Sequence, residues 1–290
     1  MVKLFNGWYF FFILLSAGAF AGLYFALRNK SEKTKKIVLA SILFFNLALH
    51  FLKLTFPPYS TNRELALREV WFVNVCGTSV LFFPFLFISK SLTAKNYMFF
   101  LGAISGFLAL LYPTEALDKS VLTLDVWRFY LCHFIIIAVP VLAVKLKLFE
   151  VNVKTVLKIP VCVTAMLLFI ICNQVLQSEL GAIPLRDGNM LEVNWRNPSL
   201  IWGPTDDVAV LFSWLTPEFM KTIPFGSFAG QGKYWPLFWM LPGVLVYFTV
   251  IPLGLCFLFN RKNTVLAFKT LFHSVKSRFV KPDPKPAIEE

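Results

Sequence analysis

Apolar residues in this chain gather into runs too continuous for one face of a soluble helix. Runs at 6–27, 37–56, 70–89, 96–113, 124–144, 157–177 and 234–259 each approach the roughly 20 residues needed to cross a bilayer. The two-residue alternation of a membrane barrel strand is absent, and backbone groups in lipid must bond within their own segment, so each run is predicted to be helix. The pattern therefore predicts an all-α polytopic membrane protein, a seven-transmembrane-helix bundle over residues 1–260, with a separate tail at 261–290.

Between the sixth and seventh runs lies an outer loop, 178–233, that includes Asn194-Trp-Arg-Asn-Pro198 and Trp202-Gly-Pro-Thr-Asp206. Within it, Asp206 or Asp207 is expected to cap a helix reaching Met220. That helix would present Val208, Leu211, Phe212 and Leu215 toward the membrane, as a lid over the outer end of the bundle. Gly18 and Gly22 in the first run, and Gly102 and Gly106 in the fourth, have the four-residue spacing that lets helix backbones approach closely. Pro84, Pro140, Pro160, Pro242 and Pro252 fall inside or at the ends of runs and predict kinks. In the tail, Val265, Phe268, Phe272, Val275 and Phe279 alternate with Lys269, Lys276, Arg278 and Lys281, the pattern of an amphipathic helix on the inner leaflet. The Lys281-Pro-Asp-Pro-Lys-Pro end is expected to be disordered.

Charge fixes the expected orientation. With the N-terminus outside, the inner segments 28–36, 90–95 and 145–158 and the tail carry 5, 2, 4 and 7 Lys or Arg, which leaves 10 of the 28 for everything outside. The first run has Lys3 before it and Ala17-Gly18-Ala19 inside it, features of a secretion signal. Arg28, Lys30, Lys33, Lys35 and Lys36 follow it, however, and hold its far end in the cytoplasm. The C-terminus is then cytoplasmic too.

Composition agrees: 57% apolar residues, 33 Phe and only 15% charged, against about 25% charged in a soluble domain. A net charge of +12 would suit nucleic acid if it formed one surface. Here it is divided among short clusters between spans, so no nucleic-acid partner is expected. Cys76, Cys132, Cys162, Cys172 and Cys256 all lie in apolar runs without a CxxC pair, which argues against a disulfide framework or zinc site. No metal or other cofactor is expected.

Polar side chains at membrane depth are costly and tend to mark function. No Asp or Glu lies well inside a span, and the titratable groups there besides Cys and Tyr reduce to His50, Arg128 and His133. The third span starts near Glu69 and the fifth near Asp125, so Cys76 and His133 lie seven and eight residues in, both roughly 10 Å deep. Asn74 and Arg128 join that layer, Arg128 within reach of Asp125 or Glu69, and the outward-running second and sixth spans bring His50, Asn173 and Gln174 to it. One layer of such groups predicts a site opening to the outer face. Alternatively, it is hydrogen-bonding glue between helices.

The stretches around these residues carry a resemblance: Val73-Asn-Val-Cys76 with Leu81-Phe-Phe-Pro84, Phe129-Tyr-Leu-Cys-His133 with Val139-Pro140, Cys172-Asn173, and Tyr234-Trp-Pro-Leu-Phe-Trp239. Over most of its length the chain resembles the YwaF-like bacterial integral membrane family, whose eukaryotic relative is transmembrane protein 164. The resemblance implies a seven-helix enzyme that moves fatty acyl chains between lipids, with Cys76 as nucleophile and His133 as base. Where that family often has Pro-Leu-His or Pro-Leu-Gln before the Cys, Phe72, Val73 and Asn74 stand here.

The chemistry is coherent by itself. A thiol in apolar surroundings is inert unless a base or positive charge favours its thiolate; His133 would supply the first and Arg128 the second. Attack on a phospholipid ester would give an acyl thioester, with Asn74, Asn173 or Gln174 donating to the oxyanion. The expectation is a Cys/His acyltransferase or acyl hydrolase in the bacterial plasma membrane, with a membrane lipid as substrate. His50, Asn74, Arg128, Asn173 and Gln174 would bind it. A non-catalytic scaffold and a small-molecule transporter are the competing readings. Inverted repeats and midplane carboxylates, which a transporter would favour, are absent from the sequence. Protein partners are left open by the sequence.

Overall fold

A computed structural model of the chain describes residues 1–63, 66, 70–181, 199–204, 207–223 and 234–279. Most of the described residues are helical, and the strand-like feature among them is an isolated bridge between Val2 and Leu117. Helices α1 (Gly7–Leu27), α2 (Glu32–Leu52), α4 (Leu92–Leu111), α5 (Leu124–Lys145), α6 (Ile159–Glu179, with a 3-10 lead at Val153–Lys158) and α9 (Leu241–Phe259, with a 3-10 lead at Phe238–Met240) are long and apolar enough to cross a membrane. The protein is a multi-pass membrane protein. Helix α3 (Val75–Ile88) is apolar but has only 14 residues.

Side chains set several of the starts. Asn6, Ser31, Asn74 and Ser91 each accept a hydrogen bond from the backbone two or three residues inside α1, α2, α3 and α4. Pro160 and Pro242 fall in the first turns of α6 and α9, where a missing N–H costs nothing, while α3, α5 and α9 continue through Pro84, Pro140 and Pro252.

Helix α5 stands at the centre and packs against α1, α2, α3 and α4; α6 packs against α3, α4 and α9. The core is correspondingly layered, with Leu39 and Leu43 from α2, Phe83 from α3, Met98–Leu101 from α4, Ile136, Val139 and Leu142 from α5, and Ile159 and Ile170 from α6. Mid-way along α4 the backbone widens into a π turn, Gly102–Gly106, which lies on α5. A Cβ on Gly102 would stand 2.5 Å from Ile136 O, and one on Gly106 would stand 2.5 Å from Ile137 Cγ1. Close approach is therefore the use of this glycine pair. Gly18 and Gly22 have nothing within 4 Å, so among the described residues that pair packs on no other helix.

Two sequence expectations change. The third span was expected as helix from residue 70, yet α3 begins at Val75, because Asn74 caps it and Trp71–Asn74 is non-helical. The expected helix to Met220 is two, α7 (Asp207–Trp214) and α8 (Glu218–Lys221), parted at Thr216-Pro217, where proline cannot continue a helix. They pack toward α9: Tyr247 Oη donates to Leu211 O at 2.9 Å, Thr216 Oγ1 donates to Trp239 O at 2.5 Å, and Gly243 leaves room for the Phe212 ring. Asp206, Glu69, Asn194–Pro198 and the proline-rich end lie outside the described residues. The tail helix is present as α10 (Arg261–Phe279), tied to α9 by Thr264 Oγ1, which donates to Asn260 O, and by Phe257 stacked on Phe268.

Candidate functional site

The non-helical segment before α3 is the element that shapes the site. In hydrocarbon, irregular backbone survives only where protein satisfies its carbonyls, and here side chains from three directions do so. His50 Nε2 donates to Val70 O at 3.0 Å, Thr78 Oγ1 and Asn173 Nδ2 donate to Phe72 O at 3.2 and 3.4 Å, and Ser199 Oγ donates to Val73 O at 2.8 Å. The His50 ring also stacks on Phe72, 4.9 Å between centroids. Held in this way, the segment delivers Asn74 as N-cap and Cys76 into the first turn of α3.

That turn borders a cavity of about 40 Å3 whose wall includes Cys76, His133, His50, Asn74 and Arg128. Such a volume admits a few water molecules, so any larger ligand has to displace part of the wall. His50 and His133 are buried, at 6% and 7% exposure, and Cys76 is partly buried. His133 Nδ1 lies 2.8 Å from Phe129 O. A carbonyl only accepts, so Nδ1 carries the hydrogen and Nε2 of the neutral ring has the free lone pair. No hydrogen bond joins His133 to the Cys76 thiol.

Around the thiol, Asn74 Oδ1 accepts from Gly77 N, and the amides of Val75 and Cys76, at the open end of the helix, have no acceptor among the described residues. Donors at the positive end of a helix suit an oxyanion. Arg128 Nη2 pairs with Asp125 Oδ1 at 2.8 Å.

Asn173 and Gln174 do not line the cavity. Asn173 is used on Phe72 O, and Gln174 Oε1 accepts from Trp202 Nε1 at 2.8 Å, tying α6 to the buried 199–203 segment. Among the described residues, none from α7 or α8 belongs to the wall. Among the ionisable residues of the wall, three lie outside the set expected from the sequence: Lys53, Glu115 and Cys132. The first had a signal, because it follows His50 by three residues on one helical face. Cys132 lies in an apolar run like the other cysteines, and nothing in the sequence sets it apart. Glu115 sits in the α4–α5 connection, which a depth argument along spans does not reach.

A family model described as the TMEM164 family matches residues 4–215. The chain belongs to the TMEM164 family. The matched interval includes α1 to α7 and every residue of the cavity wall, and it leaves α9 and α10 outside. No curated protein and no solved structure matches the chain. Among the described residues no group of His, Cys, Asp or Glu is arranged to hold a metal ion.

Proposed function

We propose that this TMEM164-family protein is a membrane-embedded Cys/His acyltransferase or acyl hydrolase acting on phospholipid or other fatty acyl esters. What carries the reading is the convergence of Cys76 and His133 on one cavity, with a helix-terminal thiol on one wall and a bare imidazole nitrogen on another. In the first step His133 Nε2 takes the Cys76 proton and the thiolate attacks the ester carbonyl. The oxyanion is met by the amides of Val75 and Cys76 and by Asn74 Nδ2. Collapse breaks the ester C–O bond, His133 returns the proton to the leaving alkoxide, and the acyl chain remains as a Cys76 thioester. An acceptor hydroxyl, or water, then attacks that thioester with His133 again taking the proton; the C–S bond breaks and His133 returns the proton to the departing Cys76 thiolate. The empty site lacks the Cys76–His133 hydrogen bond, and loose geometry of this kind is common before substrate enters.

The same reading includes a seventh crossing, in which α3 and the extended Trp71–Asn74 segment together span the bilayer. The N-terminus is outside and the cavity opens to the outer face. Basic loops on the opposite end support this orientation, and the resemblance to bacterial YwaF-like proteins supports a bacterial plasma membrane. His50 and Asn173 favour a second reading, a non-catalytic scaffold, because their hydrogen bonds serve the backbone.

Purified protein incubated with a phospholipid bearing a labelled acyl chain separates the two. Acyl transfer predicts a hydroxylamine-sensitive label on the Cys76 peptide, lost in Cys76→Ala, and a rate at least ~100-fold lower in His133→Ala. Transfer undiminished in Cys76→Ala would sink the proposal, and no label and no transfer in the native chain would leave the scaffold.

A further inference from the structure

We propose that Lys53 and Arg128 form an anion subsite at the cavity wall that binds the phosphate of a phospholipid headgroup and so positions the lipid ester at Cys76. The inference rests on the acyl-transfer reading for the ester's place, and on the cavity's own charges for the headgroup.

Among the described residues, Arg128 is held in a frame with a surplus of positive charge. Asp125 accepts from Arg128 Nη2 at 2.8 Å, from Lys119 Nζ at 2.7 Å and from Tyr59 Oη at 3.2 Å, so one carboxylate faces two cations. The Arg128 side chain is 11% exposed, and its Nε is buried without a hydrogen-bond partner. A guanidinium at membrane depth with an unused donor is costly unless an acceptor arrives. Lys53 brings a second cation to the same wall, 5% exposed, its ammonium 5.5 Å from the ring centroid of the Tyr59 that bonds Asp125. A planar fork beside a compact ammonium is a set of donors suited to a phosphate, which offers several acceptor oxygens at once.

Placement selects a lipid phosphate over a distant one. Arg128 precedes His133 by five residues on α5, about 7.5 Å along the axis, and Lys53 follows His50 by three on α2, about 4.5 Å. Both cations thus stand on the same side of the His/Cys level, toward the end of the bundle where α2 finishes and α5 begins. In a glycerophospholipid the phosphate is a few bonds from the ester carbonyls, which matches this offset. Glu115, the acidic residue of the wall, is exposed at the rim, where solvent screens its repulsion.

The test uses the full chain in an uncharged, phosphate-free detergent and reads alkylation of Cys76 by mass spectrometry, which needs no turnover. Three probes are compared: dihexanoylphosphatidylglycerol, dihexanoylglycerol, and inorganic phosphate. The phosphatidylglycerol is expected to protect Cys76 at concentrations about tenfold lower than the phosphate-free lipid. Lys53→Gln and Arg128→Gln should each erase that preference, with Lys53→Arg restoring it and Lys90→Gln leaving it intact. Because Arg128→Gln also breaks the bond to Asp125 and risks misfolding, Lys53→Gln and its Arg rescue decide the matter if that variant is unfolded by circular dichroism. Equal protection by the two lipids, or a preference that survives Lys53→Gln, overturns the subsite. Protection by inorganic phosphate at the same concentration overturns the headgroup assignment in favour of free phosphate. Phosphate-dependent protection without any Cys76 thioester would retain the subsite and remove the acyl-transfer reading.

Discussion

A methyl group on Gly102 would meet the carbonyl oxygen of Ile136 at 2.5 Å, and a backbone oxygen inside α5 cannot move aside as a side chain can. Gly102→Ala is therefore expected to cost about 1–3 kcal/mol through forced separation of α4 from α5, seen as a lower unfolding temperature in detergent. Gly18→Ala and Gly22→Ala, with open space around both, should leave that temperature unchanged or raise it slightly. A loss at Gly18 equal to that at Gly102 would mean that α1 packs on something outside the described residues. The two glycine pairs have the same spacing, so the sequence treated them alike; spacing identifies a smooth helical ridge but not whether another helix lies on it. Depth along a helix was legible for the same reason that rotation was not. Counting residues brought Cys76, His133, His50 and Asn74 to one level, and they line one cavity. Counting also brought Asn173 and Gln174 there, and their helix turns them to Phe72 and Trp202 instead.

The third helix shows what an apolar run conceals. Hydropathy over residues 70–89 is continuous, so composition gives a span, while the chain is non-helical over Trp71–Asn74 and becomes helical at Val75. The sign was present in Asn74, a good capping residue just ahead of an apolar run. The partners that make the break tolerable come from sequence positions as distant as His50, Asn173 and Ser199, and local patterns cannot announce them. Ser199→Ala leaves Val73 O buried without a donor and is expected to destabilise the fold by about 1–3 kcal/mol. It should also quicken alkylation of Cys76 as the segment loosens. If alkylation were unchanged while stability fell, the segment would not be what holds the thiol. Asn74 has two separable roles. Asn74→Ser keeps an N-cap acceptor and should hold stability within about 0.5 kcal/mol, yet it removes Nδ2 and is expected to slow acyl transfer by about 100-fold. An equal loss of stability and rate would reduce Asn74 to a cap.

At the scale of the whole molecule the question is which face looks out. The start of α1 and the end of α9 are fixed by contacts that do not depend on any membrane argument. Val2 exchanges backbone hydrogen bonds with Asp118 and Lys119 in the α4–α5 connection, whereas Asn260 Nδ2 donates to Val151 O in the α5–α6 connection. Helix α5 separates those connections, so the start of α1 and the end of α9 lie on opposite sides. Charge favours one sense, with the end that holds Asn260 inside. The end that holds Asn260 also carries the α1–α2, α3–α4 and α5–α6 connections, where basic residues concentrate, and α10 continues from it with Arg261, Lys262 and Lys269 beside exposed Leu266, Leu271 and Phe272. An amphipathic basic helix of that kind is at home on an anionic inner leaflet. A reporter active only in the cytoplasm, fused after residue 290, should therefore be active, and the same reporter inserted at Asp118 should be silent. Removing one basic cluster would not reverse the result, because four inner segments share the bias. Substituting Lys and Arg in 28–36, 90–95 and 145–158 together, with equal numbers added to the α4–α5 connection, should produce mixed insertion. A C-terminal reporter found outside in the native chain would place the cavity at the inner leaflet. The lipid reaching Cys76 would then be drawn from the cytoplasmic side, and the cations of α10 would face the exterior.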